Sequence, residues 1–206
     1  MNYCELKVEN ISFSYGKEKI IKELNFEAKK ADVLIVKGPN GSGKSTLIKL
    51  LSDILTTEKG KIEYLINEDC LNPSQYPFYF GLCAVEQNLY EELTIYENLE
   101  FLLKLRNING KEKIEDYLKK ANLYNKRDKY YKNLSSGMKQ RVKIISAILH
   151  KPAFLFLDEP GTNLDGNGFL FLNQIIEEQK KRGICVIASN NEKEYKYGNK
   201  TVILPS

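Results

Sequence analysis

The spacing of apolar positions changes character twice along the chain. In the first third, short apolar runs alternate with polar turns: LKV (6–8), ISF (11–13), LNFEA (24–28), VLIVK (33–37) and IEYL (62–65). Such runs predict an antiparallel sheet leading into a buried strand. In the middle, Thr94 and Glu97 form the S/T-x-x-E pair of a helix start, and Ile95, Leu99 and Leu102 follow on one face. Ile114, Leu118 and Ala121 repeat that spacing after the polar turn NINGKEK, and Met138, Val142, Ile145 and Leu149 step by four, three and four. A helical block over residues 94–150 is therefore expected. The last third alternates again: FLFLD (154–158), a helical stretch over 166–181, CVIAS (185–189) and TVIL (201–204). Continuous apolar runs separated by helices require a parallel sheet covered on both faces.

Composition narrows the class of molecule. The 206 residues are 42% hydrophobic and 28% charged, enough for one large globular domain with a sizeable core, and this excludes disorder and collagen. The net charge of +4 is too mild to demand nucleic acid as a partner. The longest uncharged stretch, residues 70–85, has 16 residues and is interrupted by Pro73, Pro77 and Gly81, too short and broken to span a bilayer. The segment MNYCELKVEN has neither a basic n-region nor an apolar h-region, so no membrane targeting is expected. Cys4, Cys70, Cys83 and Cys185 have no metal-binding spacing and read as reduced thiols. His150, the single histidine, precedes Lys151 and Pro152 and reads as a surface residue of a connecting loop.

Two motifs carry chemistry. Residues 38–46 read GPNGSGKST, which contains G-x-x-x-x-G-K-[ST]. Gly38, Gly41 and Gly43 let the backbone turn its N–H groups inward around Pro39, Asn40 and Ser42, and the following helix adds its positive end. Lys44 supplies a point charge to the β- and γ-phosphates of a nucleotide, Ser45 a hydroxyl to magnesium, and Thr46 a donor to the α-phosphate. The second motif is FLFLDEP, a buried strand ending in two carboxylates at the crevice where parallel sheets hold ligands. Asp158 fits a magnesium-holding role, and Glu159 fits a base that accepts a proton from attacking water.

With these motifs in order, nearly the whole chain resembles the nucleotide-binding subunit of an ATP-binding cassette (ABC) transporter. The resemblance assigns Tyr15 of FSYG to stacking on adenine, and Gln87 to the loop that reaches magnesium and attacking water where the transmembrane partner docks. LSSGMKQR (134–141) is similar to the family signature LSGGQ, with Ser135 and Gly137 retained to bind the γ-phosphate of an ATP held by another subunit. Ser136 and Met138 depart from the pattern, and Met138 also begins an apolar stripe. GTNLD (161–165) occupies the loop after the carboxylates, with Asp165 serving also as a helix N-cap. Where the family places a switch histidine this chain has Asn190, which donates an amide hydrogen bond but cannot shuttle a proton.

The resemblance implies an α/β fold: a P-loop NTPase (RecA-like) core with an N-terminal antiparallel β-subdomain and an inserted α-helical subdomain. Residues 1–87 and 150–206 would form the core and 88–149 the helical subdomain carrying the signature. The expected activity is hydrolysis of ATP with magnesium. It would be performed by a homodimer or heterodimer of ATPase subunits on the inner face of the cell membrane, coupled to a separate transmembrane permease. The compact length resembles single-cassette exporter subunits. Two other readings are an ATP-gated cassette that hydrolyses weakly, motivated by Asn190, and a soluble ABC ATPase without a transport role.

Overall fold

The computed structural model describes residues 3–205. Strands β1 (Cys4–Tyr15), β2 (Glu18–Lys29), β4 (Lys59–Ile66) and β5 (Asp69–Cys70) form an antiparallel sheet in the order β2-β1-β4-β5. Strands β3 (Val33–Lys37), β6 (Phe80–Cys83), β7 (Phe154–Asp158), β8 (Ile184–Ala188) and β9 (Lys200–Ile203) form a parallel sheet in the order β6-β7-β8-β3-β9. The helices are α1 (Lys44–Leu51), α2 (Tyr76–Tyr79), α3 (Ile95–Lys104), α4 (Lys111–Lys120), α5 (Ser136–Ile148), α6 (Gly166–Lys180) and α7 (Glu192–Tyr195). Among the described residues, no helix is long and apolar enough to cross a membrane.

The continuous apolar runs are explained by the two faces of the parallel sheet. Val33, Ile35, Leu155, Leu157, Cys185 and Ile187 pack with residues of α3, α4, α5 and α6. Their sequence neighbours Leu34, Val36, Phe154, Phe156, Ile184 and Val186 pack with Leu47, Ile48 and Leu51 of α1 and with Leu6, Val8 and Tyr64 of the antiparallel sheet. Successive side chains point to opposite faces, so a strand covered on both must be apolar throughout.

The structure joins the runs 6–8 and 11–13 into one strand. Between the pairs Val8–Phe26 and Ile11–Leu24, Glu9 and Asn10 oppose the single residue Asn25. Asn10 has φ 51, and its N–H donates to Asn25 Oδ1 at 2.8 Å. This bulge breaks the alternation without ending the strand. Strand β6 lies inside the uncharged stretch considered above as a membrane segment. It is the edge of the parallel sheet, with Phe80 opposite Phe154 and Cys83 opposite Leu157. The expectation for His150 is corrected: it is half-buried, with Nε2 2.8 Å from the Phe80 carbonyl oxygen. Burial, with nearby Arg106, lowers its pKa to about 4, so it is neutral at physiological pH.

Candidate nucleotide site

The site is built at the ends of β3 and β7, the two strands that flank β8 in the parallel sheet. After Lys37 the chain turns through Gly41 at φ 83 and Gly43 at φ 92, both in the left-handed region that glycine tolerates. At Gly43 a side chain would also run into Ile20 Cγ2. Gly43 caps α1 without a side-chain hydrogen bond, and no acidic residue occupies the first turn. The helix therefore presents N–H donors and its positive end to an anion. Lys44 is 7% exposed, and its Nζ donates to the carbonyls of Gly38 and Pro39, each at 2.8 Å. Those two bonds hold the ammonium across the mouth of the loop. Thr46 is buried beside it, and Ser45 is exposed.

An open cleft of about 390 Å³ lies above this loop, lined by Tyr15, Ile20, Asn40, Gly41, Gly43, Lys44, Ser45, Thr46, Glu159 and Asn190. Tyr15, at the end of β1, is half exposed and meets Phe13 edge-on at 5.0 Å, which leaves ring surface for stacking. Asp158 is 4% exposed and its Oδ1 has no hydrogen-bond partner. Burial raises its pKa, against a Ser45 hydrogen bond and the charges of Lys49 and Lys44. An unpaired buried carboxylate oxygen beside a serine hydroxyl is the donor set that a hard divalent cation takes, so these residues fit magnesium.

Glu159 has φ 47, a left-handed conformation that is strained for a residue with a side chain. It is held there by its N–H, which donates to the Ala188 carbonyl at 2.8 Å. Its carboxylate accepts from the Asn190 N–H at 3.1 Å and faces the Ser189 hydroxyl at 3.5 Å. Burial raises its pKa, with Asp158 adding to the effect and the Asn190 N–H opposing it. A carboxylate with raised proton affinity at the cleft wall suits a general base. The Asn190 amide donates to Asn40 Oδ1, linking the ends of β8 and β3 across the cleft.

Two groups of expected residues lie elsewhere. The Gln87 amide nitrogen donates to Ser146 Oγ on α5 at 3.4 Å, and its oxygen accepts from the Ala84 N–H at 3.4 Å, so the side chain turns away from the cleft. Lys143 of α5 holds that segment by donating to the Val85 carbonyl at 2.9 Å. Ser135 caps α5 by accepting from the Met138 N–H at 3.4 Å. Ser135 is exposed, Gly137 is half-buried, and neither lines the cleft. A Cβ on Gly137 would come 2.6 Å from the Asn163 carbonyl oxygen, so only glycine fits against that loop. Asp165 caps α6 as expected, accepting from the Gly168 N–H at 2.7 Å. Sequence reasoning missed Ile20 beneath the loop, Ser189, and Glu194 on α7, a four-residue helix too short for periodicity to reveal.

The family model described as ABC transporter matches residues 21–162. The chain belongs to the ABC transporter family. It is an ATP-binding subunit of that family and an ATPase. It is 34% identical over 193 residues to the ergothioneine transport ATP-binding protein EgtV of Helicobacter pylori, covering 91% of this chain and 90% of that protein. It is 32% identical over 186 residues to the lantibiotic transport ATP-binding protein SrtF of Streptococcus pyogenes, covering 90% of this chain and 80% of that one. The fold superposes on a solved ATP-binding subunit of an ABC transporter with a TM-score of 0.85 and 28% identity, over 97% of this chain and 85% of that chain. The ABC fold therefore accounts for both sheets and for the helices of the middle segment.

Proposed function

We propose that this ABC subunit is a peripheral motor on the inner face of the cell membrane. It binds magnesium–ATP, closes against a second ATPase subunit and moves a separate transmembrane permease of exporter type. The observation that carries this reading is the one-sided cleft: Tyr15, the phosphate loop, Glu159 and Asn190 line it, whereas Ser135 and Gly137 do not. A second chain presenting its own Ser135 and Gly137 would cover the open side. The helical segment 88–149 would then carry both the signature and the face turned to the permease.

In the reaction, the loop N–H groups and Lys44 hold the phosphates and Tyr15 packs on adenine. Asp158 and Ser45 would hold magnesium, with Gln87 approaching it, and the bound ion would supply charge neutralisation for the phosphates. For Gln87 this requires release from Ser146 and Ala84, two long hydrogen bonds. Glu159 accepts the proton of the attacking water, and Asn190 donates an amide hydrogen bond to the γ-phosphate. Phosphoryl transfer asks chiefly for positioning and charge stabilisation, which this set supplies.

Mixing two disabled subunits tests the shared site. Lys44→Ala destroys the loop and Ser135→Arg destroys the signature, so each alone is inactive. A mixture should recover turnover, because a mixed dimer has one intact pair. Lack of recovery, with each protein folded and dimeric, would refute a site completed by a second chain.

A further inference from the structure

A buried carboxyl group outside the motifs, Glu194, stands close to Glu159 in the wall of the cleft. Glu194 is 1% exposed, and neither of its carboxyl oxygens completes a hydrogen bond among the described residues. Its Oε1 lies against Gly161, in the space a Cβ there would fill. The donors close enough to act on it are the Ser189 hydroxyl and the Gly161 N–H. Burial raises its pKa to about 7, the Ser189 hydroxyl opposing and the Glu159 charge adding to the rise. Around it stand Glu159 from the end of β7 and Tyr197 just beyond α7. The ammonium of Lys37, on β3, sits instead over the Tyr195 ring at 4.0 Å.

Ser189 is completely buried and stands between the two carboxyl groups. Its Oγ accepts from the Asn191 N–H at 2.9 Å and faces Glu159 Oε2 at 3.5 Å. A hydroxyl has one hydrogen and two lone pairs, and Asn191 takes one lone pair. The single hydrogen can serve Glu159 or Glu194 but not both. If Glu194 carries a proton, it can donate to the remaining lone pair, and the Ser189 hydrogen is then left for Glu159.

We propose that Glu194 is a positioning residue for hydrolysis: as a neutral acid it donates to the Ser189 hydroxyl, which turns that hydroxyl onto Glu159 and fixes the base toward water. The proposal rests on the reading of Glu159 as base. Ionisation of Glu194 reverses the arrangement, because the Ser189 hydrogen is drawn to the second carboxylate.

The test is the pH dependence of kcat and KM for ATP in the full-length protein. Wild-type kcat should fall on the alkaline side as Glu194 loses its proton. Glu194→Gln keeps a donor at every pH, so the alkaline fall should disappear. Glu194→Leu removes the donor and should lower kcat about tenfold, the effect of one ordinary hydrogen bond, with KM unchanged. Ser189→Ala should erase the difference between wild type and E194Q. A profile for E194Q that superimposes on wild type would overturn the proposal, even if E194L fails to fold. Glu159→Gln separates the two ideas: normal turnover in that variant refutes the base, whereas loss of turnover there with an unchanged E194Q profile refutes only Glu194.

Discussion

Replacing Asp158 by Asn separates what this residue does for the nucleotide from what it does to the fold. Asp158 is 4% exposed with one oxygen unpaired, and the net effect of its surroundings is to raise its pKa. The buried carboxylate is therefore less stable folded than unfolded, despite Ser45, Lys49 and Lys44. An unsatisfied buried polar group costs about 1–3 kcal/mol, and more when charged. Substituting a neutral amide should recover about 1 kcal/mol, which for a chain of this size raises Tm by about 2–4 °C. The sign with pH follows from linkage. The folded pKa lies above the unfolded one, so the contribution of Asp158 is fully present below the unfolded value and is lost as pH rises through the folded value. The advantage of D158N is thus greatest at neutral and alkaline pH and shrinks in acid. Magnesium–ATP at one hundred times its Kd should add about 2.7 kcal/mol to wild type, a further rise of about 5–10 °C, and much less to the variant. Thermal melts at about pH 5 and about pH 8, with and without magnesium–ATP, measure both effects. A nucleotide-free D158N that melts below wild type at the higher pH would refute the reasoning, as would equal nucleotide shifts in the two proteins.

Two further outcomes follow from packing and from the switch position. Phe156→Ala, at a fully buried residue whose ring meets Phe80 edge-on at 5.4 Å, should lose about 3–5 kcal/mol in urea denaturation. Asn190→His should raise kcat severalfold and add a titration in the imidazole range to its pH profile, because imidazole can exchange a proton where an amide cannot. An N190H profile without that added titration would contradict a direct role at the γ-phosphate.

What the sequence revealed followed the strength of each local signal. VLIVK and FLFLD were legible as buried strands because both faces of the parallel sheet are covered, and Thr94 and Asp165 were legible as a helix start and an N-cap. The glycine-rich turn before α1 was legible because glycine spacing reflects backbone geometry directly, as Gly41 and Gly43 show. The bulge at Asn10 was hidden because it depends on the amide of Asn25, on another strand. Strand β6 was hidden because Pro73, Pro77 and Gly81 interrupt its apolar stretch and its pairing partner, β7, is distant in the chain. The positions of Gln87 and Glu194 were hidden for a similar reason: each is set by contacts from other elements, α5 in one case and the loops after β7 and β8 in the other.

The claim on which the account depends is that Glu159, held in a left-handed turn at the end of β7, is the base for ATP hydrolysis. Phosphate release by purified Glu159→Gln with saturating magnesium–ATP tests it most directly, with ATP affinity measured in parallel. With the base removed, kcat should fall by at least about 100-fold with ATP affinity retained. Turnover within twofold of wild type would contradict it.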